Sequence, residues 1–185
     1  MGQLVVSKQT AGTSRSETAD EVTQYLTFSV SDERLAMSIN AVKEIIETPQ
    51  VTRVPMTPDY IRGVINLRGS VVPVIDLGAR LGRGPLTLTK RSCVVLVEVQ
   101  VGDEGHVLGM LVDEVKNILD IPPEDVKPPP EFGSEIRTDF IEAMGRVDDV
   151  FVIILSVDHV LSVQELASLR RLSEEAVPHA SDVDA

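Results

Sequence analysis

The chain has 185 residues and a formal net charge of −12, which suits one domain, or two small ones that share a core. The acidic balance and an aromatic content of 3% argue against nucleic acid as a partner, because such binders need basic faces and stacking platforms. A single cysteine excludes an internal disulfide and a thiolate zinc cluster, and no apolar run approaches the ~20 residues that cross a bilayer.

Residues 1–20 are rich in small and polar side chains and predict a disordered N-terminal arm. Ordered structure should begin with a hairpin around the turn Ser31-Asp32-Glu33. Apolar residues alternate with polar ones on both sides of this turn: Leu26, Phe28 and Val30 before it, and Leu35, Met37 and Ile39 after it. This period of two predicts strands with one buried face.

Residues 41–46 allow two interpretations. Asn40 can cap a short helix with Lys43 and Glu44 outward, or the segment can continue as a strand, since the run is too short for periodicity to decide. In both cases we expect the apolar residues Val42, Ile45 and Ile46 to lie in the core.

Residues 63–77 form the most informative stretch of the chain. They predict two nearly apolar strands, 64–67 and 71–75, joined by the tight turn Arg68-Gly69-Ser70. Gly69 suits the positive φ of such a turn, and Arg68 is a long cation held at a rigid tip. Asp76 should then cap a short helix that ends at about Leu81.

The second half of the chain repeats this plan. A hairpin is expected around residues 102–105, followed by an extended segment over 115–121, a stiff proline-rich connection over 128–138, and final strands that meet at the turn Asp148-Asp149. Ser162 and Glu165 form a capping box for a C-terminal helix over 163–172. The acidic residues 173–185 predict a disordered tail.

The two halves align with each other. Residues 35–49 match 108–122 without a gap, and six of the fifteen positions are identical. The strands that end at 151–157 likewise match the central hairpin. We therefore predict two similar all-β units of about five short strands, at roughly 24–84 and 90–157, each closed into a small barrel to hide its edges.

The sequence offers no catalytic constellation. His106 and His159 lack ligand spacing and an acidic partner, and Cys93 lies in an apolar run typical of a buried, unreactive thiol. We expect no metal, no cofactor and no enzymatic activity. A small β-barrel enzyme remains the alternative of a different class.

The residues gathered above resemble the CheW family of chemotaxis coupling proteins. The matching motifs are Val42-Lys43-Glu44-Ile45, Val54-Pro55 with Pro58, Gly63-Val64-Ile65-Asn66-Leu67-Arg68-Gly69, and the run 72–77, with 109–115 and 128–132 in the second half. The resemblance spans about 24–169 and implies an all-β fold of two intertwined five-stranded SH3-like β-barrels with short helices and a C-terminal helix. The domain would then occupy residues 21–172.

The resemblance also implies a function. Such a chain would be a cytoplasmic adaptor, recruited to membrane-bound receptor arrays, that couples the cytoplasmic tip of chemoreceptors to the regulatory domain of the CheA histidine kinase. Further CheW-like domains would be array partners. Carried over by motif, Val42, Glu44 and Arg68 would bind partners, while Gly63 and Gly69 would shape the hairpin. A coupling protein of a non-flagellar pathway, for surface motility or gene regulation, is the alternative.

Overall fold

The computed structural model describes residues 23–129, 139–162, 164–169 and 171. The strands in this part are β1 (Thr23–Val30), β2 (Glu33–Ser38), β3 (Val42–Glu47), β4 (Ile61–Leu67), β5 (Ser70–Asp76), β6 (Cys93–Val101), β7 (Glu104–Val112), β8 (Glu114–Ile121), β9 (Val126–Lys127), β10 (Ile141–Val147) and β11 (Val150–Leu155). Helix α1 spans Leu77–Arg80, and the C-terminal helix α2 covers 164–169. Short 3-10 turns lie at Ile39–Ala41, Pro123–Asp125 and Val157–His159. The predicted all-β class is confirmed.

The strands form two sheets that each combine both halves of the chain. The six-stranded sheet has the order β8-β1-β2-β11-β10-β9, and the five-stranded sheet has the order β3-β6-β7-β5-β4. The halves join through parallel pairs, β2 with β11 and β5 with β7, whereas all other pairs in the described part are antiparallel. The predicted intertwining is therefore present. The ranges 24–84 and 90–157, however, do not each form one sheet.

Short connections bring the opposite edges of each sheet together. Edge strands β8 and β9 are separated by only residues 122–125. In the five-stranded sheet, the chain leaving β3 reaches Thr52, which pairs with Val64 on the far-edge strand β4. A small barrel requires the opposite edges of a sheet to approach each other in this way. The SH3-like barrel itself stays a prediction.

The predicted repeat is visible in the backbone, with an offset of 80 residues between equivalent positions of the two hairpins. Hairpins β4–β5 and β10–β11 both carry a register shift near their start, between Ile61 and Gly63 and between Ile141 and Ala143. At the base of the first hairpin, Asp76 N donates to Tyr60 O at 2.8 Å. At the base of the second, Ser156 N donates to Phe140 O, also at 2.8 Å.

The core explains one wrong expectation. Strands β1 and β2 were predicted to bury one face, yet Tyr25, Thr27 and Ala36 are buried as well as the alternating set. The six-stranded sheet packs one face against a core shared with the other sheet, and its opposite face encloses a separate cluster that includes Tyr25, Ala36 and Ile154. Because both faces are covered, polar Thr27 is satisfied internally, donating to Asn117 O at 2.8 Å.

Local predictions had mixed outcomes. Of the two interpretations of residues 41–46, the strand is confirmed, since a 3-10 turn leads into strand β3, whereas the expected burial of Ile45 is wrong, because it is 40% exposed. The cap by Asp76 is confirmed, with Ala79 N donating to its Oδ1 at 3.1 Å. The capping box is also confirmed, because Ser162 N donates to Glu165 Oε1 at 2.7 Å and Glu165 N donates to Ser162 Oγ at 3.1 Å.

The predicted arm at 1–20, the tail at 173–185 and most of the connection over 128–138 lie outside the described residues. Among the residues that the structure describes, no helix is long and apolar enough to cross a membrane.

Candidate partner-binding site

The β4–β5 hairpin closes through a two-residue turn made by Arg68 and Gly69. Leu67 pairs with Ser70, and the two turn residues have φ values of 52° and 87°. Such primed turns match the twist of the flanking strands. Arg68 therefore takes a left-handed conformation that costs an L-residue about 1 kcal/mol or more, and that glycine adopts freely. Asn66 Oδ1 accepts from Gly69 N at 2.9 Å and supports the turn.

The two glycines of this hairpin are required for different reasons. Gly63 has a φ of 149°, and a Cβ there would overlap the carbonyl oxygen of Thr52. Because glycine has no Cβ, the two backbone segments can approach closely enough for Val64 N to donate to Thr52 O at 2.8 Å. Gly69 faces open space, so only its backbone conformation favours glycine. Both observations are consistent with the structural roles predicted for these residues.

The structure brings two predicted site residues into direct contact. Arg68 Nη2 donates to both carboxylate oxygens of Glu44, at 2.7 and 2.9 Å. Glu44 lies on the same half-buried face of β3 as Val42 and Ile46, and its outward placement in the helical interpretation was wrong. Val42, on the same strand as Glu44, is partly buried and packs against the core. Arg68 is 70% exposed along its side chain and Glu44 36%, so partners can reach both.

This ion pair joins opposite edges of the five-stranded sheet. Glu44 is on edge strand β3, and Arg68 caps the hairpin that contains the other edge strand, β4. A pair this exposed contributes about 0–1 kcal/mol, so it orients the two side chains more than it stabilises the fold.

The repeat lacks the pair in the second half, where both members are replaced. Asn117 stands at the position of Glu44 and accepts from Thr27, while Asp148 stands at that of Arg68. Asp148 and Asp149 have φ values of 51° and 64°, so the turn geometry is kept although its chemistry changes. The cation at the tip is therefore not needed to make the turn.

A buried carboxylate fixes the end of β5, and only its capping role was foreseen. Asp76 is 1% exposed, and its Oδ2 accepts from Arg62 Nη1 and from Leu86 N, both at 3.0 Å. Its other oxygen caps α1. The sequence indicated the cap through its position before the helix, but nothing in it pointed to Arg62.

The candidates that were set aside as non-catalytic each have their own local surroundings. Cys93 is half-buried rather than fully buried, and burial raises the pKa of its thiol. Ser156 Oγ lies 2.7 Å from His159 Nδ1, whereas His106 Nε2 lies 3.6 Å from a Glu104 oxygen. No group of three or more metal-ligating side chains occurs in the described ranges.

An apolar groove of about 400 Å³ runs between the six-stranded sheet and the loop after α1. Its lining includes Leu35, Leu81, Phe140, Ile153 and Leu155. The Arg83–Glu33 ion pair lies at its margin. The groove does not include any of the three predicted partner-binding residues.

Comparisons with known proteins agree on one family. The model of the CheW-like domain matches residues 24–165. The chain is 31% identical to the chemotaxis protein CheW of Klebsiella aerogenes, over 78% of this chain and 84% of that protein. It is 33% identical to a probable chemotaxis protein CheW of Rhizobium etli, over 77% and 89%. The crystal structure of the scaffolding protein TtCheW from Thermoanaerobacter tengcongensis superposes with a TM-score of 0.69 at 32% identity, covering 77% of this chain and 89% of that one.

Proposed function

The chain belongs to the CheW family, and on this basis we propose that it is a scaffold, not an enzyme, that couples chemoreceptors to the CheA histidine kinase in chemotaxis signalling. The relatives are named chemotaxis proteins, and the matching crystal structure is that of a scaffolding protein. The matched residues, 24–165, include both sheets. We extend the functional domain to 21–172, with its two units at about 24–84 and 90–157 in sequence.

At a finer level, we propose that the chain binds the regulatory domain of CheA and the cytoplasmic tip of chemoreceptors, and that further CheW-like domains join it in arrays. It would then act in the cytoplasm at membrane-bound receptor arrays. The family membership supports these partners, and the structure contributes the surfaces that could receive them.

The surface that we assign to coupling comprises Val42, Glu44 and Arg68. The observation that carries the assignment is the exposed Arg68–Glu44 pair, held on a strained turn and present in only one half of the repeat. A side chain that neither the turn nor the core requires, yet that is oriented by a rigid hairpin, is typical of a partner contact.

The geometry of the pair leaves Arg68 able to bind. Glu44 engages only Nη2, so within the described part of the chain the Nε and Nη1 donors remain available to a carboxylate or carbonyl of a partner. Glu44 keeps the guanidinium in place, and the half-buried Val42, two residues away on the same strand, supplies apolar contact area. A receptor helix could use the separate groove that contains Leu35 and Ile153, in a helix-in-groove mode.

Coupling would follow from differential contact. A scaffold shifts the kinase between states only if its contacts differ in free energy between those states. The test is reconstitution of receptor, CheA and this chain, with kinase activity and co-sedimentation as readouts. We expect receptor-dependent kinase activity only when the chain is present. Equal activity with and without it would refute the proposal.

A further inference from the structure

The guanidinium of Arg80, the last residue of α1, has contacts to four separate segments. Its Nε donates to Val160 O at 2.7 Å, and its two terminal nitrogens donate in parallel to the Glu165 carboxylate, each at 2.8 Å. The same guanidinium lies 4.7 Å from the ring centre of Tyr60 and 5.1 Å from that of Phe140. Only 10% of its side chain is exposed, so these contacts are shielded from water.

The partners of Arg80 are arranged by the internal repeat. Tyr60 and Phe140 occupy equivalent positions at the offset of 80 residues, each directly before the first strand of its hairpin. Val160, which accepts from Arg80, is the repeat equivalent of Arg80 itself. The side chain therefore lies where the two halves of the chain meet, and its guanidinium contacts residues of both.

Arg80 also holds the base of the coupling hairpin from both sides. Tyr60 precedes β4 and α1 follows β5, and these two segments are joined by the hydrogen bond from Asp76 N to Tyr60 O. Arg80 ties both to the second half of the chain through Phe140, Val160 and Glu165. The seven-residue strands β4 and β5 then run from this base to the tip at Arg68.

The polar groups around Arg80 satisfy one another, and the network is therefore suited to fixing a position. Glu165 also accepts from the backbone of Ser162 at 2.7 Å. Although burial opposes it, the hydrogen bonds from Ser162, Tyr60 and Arg80 lower the pKa of Glu165 to about 2. Burial, followed by the bond to Glu165, raises the pKa of Tyr60 to about 12. A satisfied, desolvated polar network specifies one arrangement of its members more strictly than apolar contacts do.

We propose that Arg80 is a positioning residue for coupling, which fixes the base of the β4–β5 hairpin against the second half of the chain so that Arg68 keeps its place. The shared apolar core holds the two sheets together, whereas the Arg80 network sets where the hairpin base lies on that core. This inference rests on the function proposed above. It predicts that loss of Arg80 displaces Arg68 and thereby impairs coupling.

The test uses the full chain with Arg80→Gln, and with Glu165→Gln as the variant on the other side of the network. Arg146→Gln is the matched control, because Arg146 is an exposed, ion-paired arginine in the second hairpin. Affinities for a receptor fragment and for CheA are measured separately, beside kinase stimulation in the reconstituted system. Spin labels at Ser70→Cys and Lys127→Cys, in a Cys93→Ser background, report the position of the hairpin relative to β9 in each variant.

We expect Arg80→Gln to weaken binding of the partner that Arg68 contacts, to reduce kinase stimulation about fivefold or more, and to broaden the label distance distribution. Glu165→Gln should act in the same direction and less strongly, and it carries the test if Arg80→Gln does not fold. Arg146→Gln should match the wild type. Unchanged stimulation or an unchanged distance distribution in a folded variant overturns the inference. A wild-type chain that gives no stimulation overturns the proposed function as well.

Discussion

An exchange of the two charges between Arg68 and Glu44 tests whether the cation at the hairpin tip is a partner contact. Three variants are needed: Arg68→Glu, Glu44→Arg, and both together. Each single variant places two like charges at a site where the native side-chain atoms lie 2.7 Å apart. The double variant restores an opposite pair but moves the guanidinium from the tip to strand β3.

The effect on stability follows from exposure. An ion pair with side chains 70% and 36% exposed contributes about 0–1 kcal/mol, and like charges cost a similar amount. Each single variant should therefore lose about 1 kcal/mol, while the double variant should recover most of it. The turn conformation makes no difference, because arginine and glutamate are both L-residues with a Cβ at φ 52°.

Coupling should behave differently from stability. Chemical denaturation measures the free energy of unfolding, and the reconstituted kinase assay measures coupling. We expect stimulation to fall in both single variants and to stay low in the double variant, since its guanidinium is no longer at the tip. Arg146→Glu in the second hairpin serves as the control and should stimulate normally. Recovery of both stability and stimulation in the double variant would refute the reasoning, because the pair would then act only as a link between sheet edges.

Three further outcomes are expected. Asp76→Ala should destabilise the chain by about 3–5 kcal/mol in chemical denaturation, because it leaves Arg62 without its buried partner and removes a helix cap; a loss below 1 kcal/mol would contradict this. Glu165 has a folded-state pKa lowered from 4.5 to about 2, so its contribution of up to about 3 kcal/mol is fully present above about pH 4.5 and is lost as pH falls through 2; acid titration of unfolding should show a smaller loss in Glu165→Gln. Gly63→Ala should lower the melting temperature more than Gly69→Ala, because only the first adds a backbone overlap to the conformational strain, and equal shifts would argue against that overlap.

Much of the site was visible in the sequence, because its parts depend on neighbours within a few residues. The turn at 68–69, the cap by Asp76 and the Ser162–Glu165 box are short-range hydrogen-bonding patterns that a few side chains specify. The repeat was likewise readable, because equivalent strands need similar apolar spacing. Residues 41–46 were ambiguous for the same reason, since six residues carry too little periodicity to separate a turn of helix from a strand.

Long-range choices were decided by the tertiary structure. Arg68 pairs with a residue 24 positions away, and Arg80 pairs with one 85 positions away. The sequence does not show whether an arginine is exposed or buried, and the chain contains many acidic residues that could have paired with it. Only the packing of the hairpin base against Phe140 and α2 determines that Arg80 is buried.

The sequence by itself therefore determined the local units of this protein: the strands, their turns, the caps, the duplication and the family. Only the tertiary structure decided how those units combine. Each sheet takes strands from both halves through the parallel pairs β2–β11 and β5–β7, and both faces of the sheet that contains β1 and β2 are covered by apolar clusters. Alternation of apolar and polar residues indicates that a strand has a buried face, but it does not indicate which part of the chain packs against that face. That information exists only when the whole chain has folded.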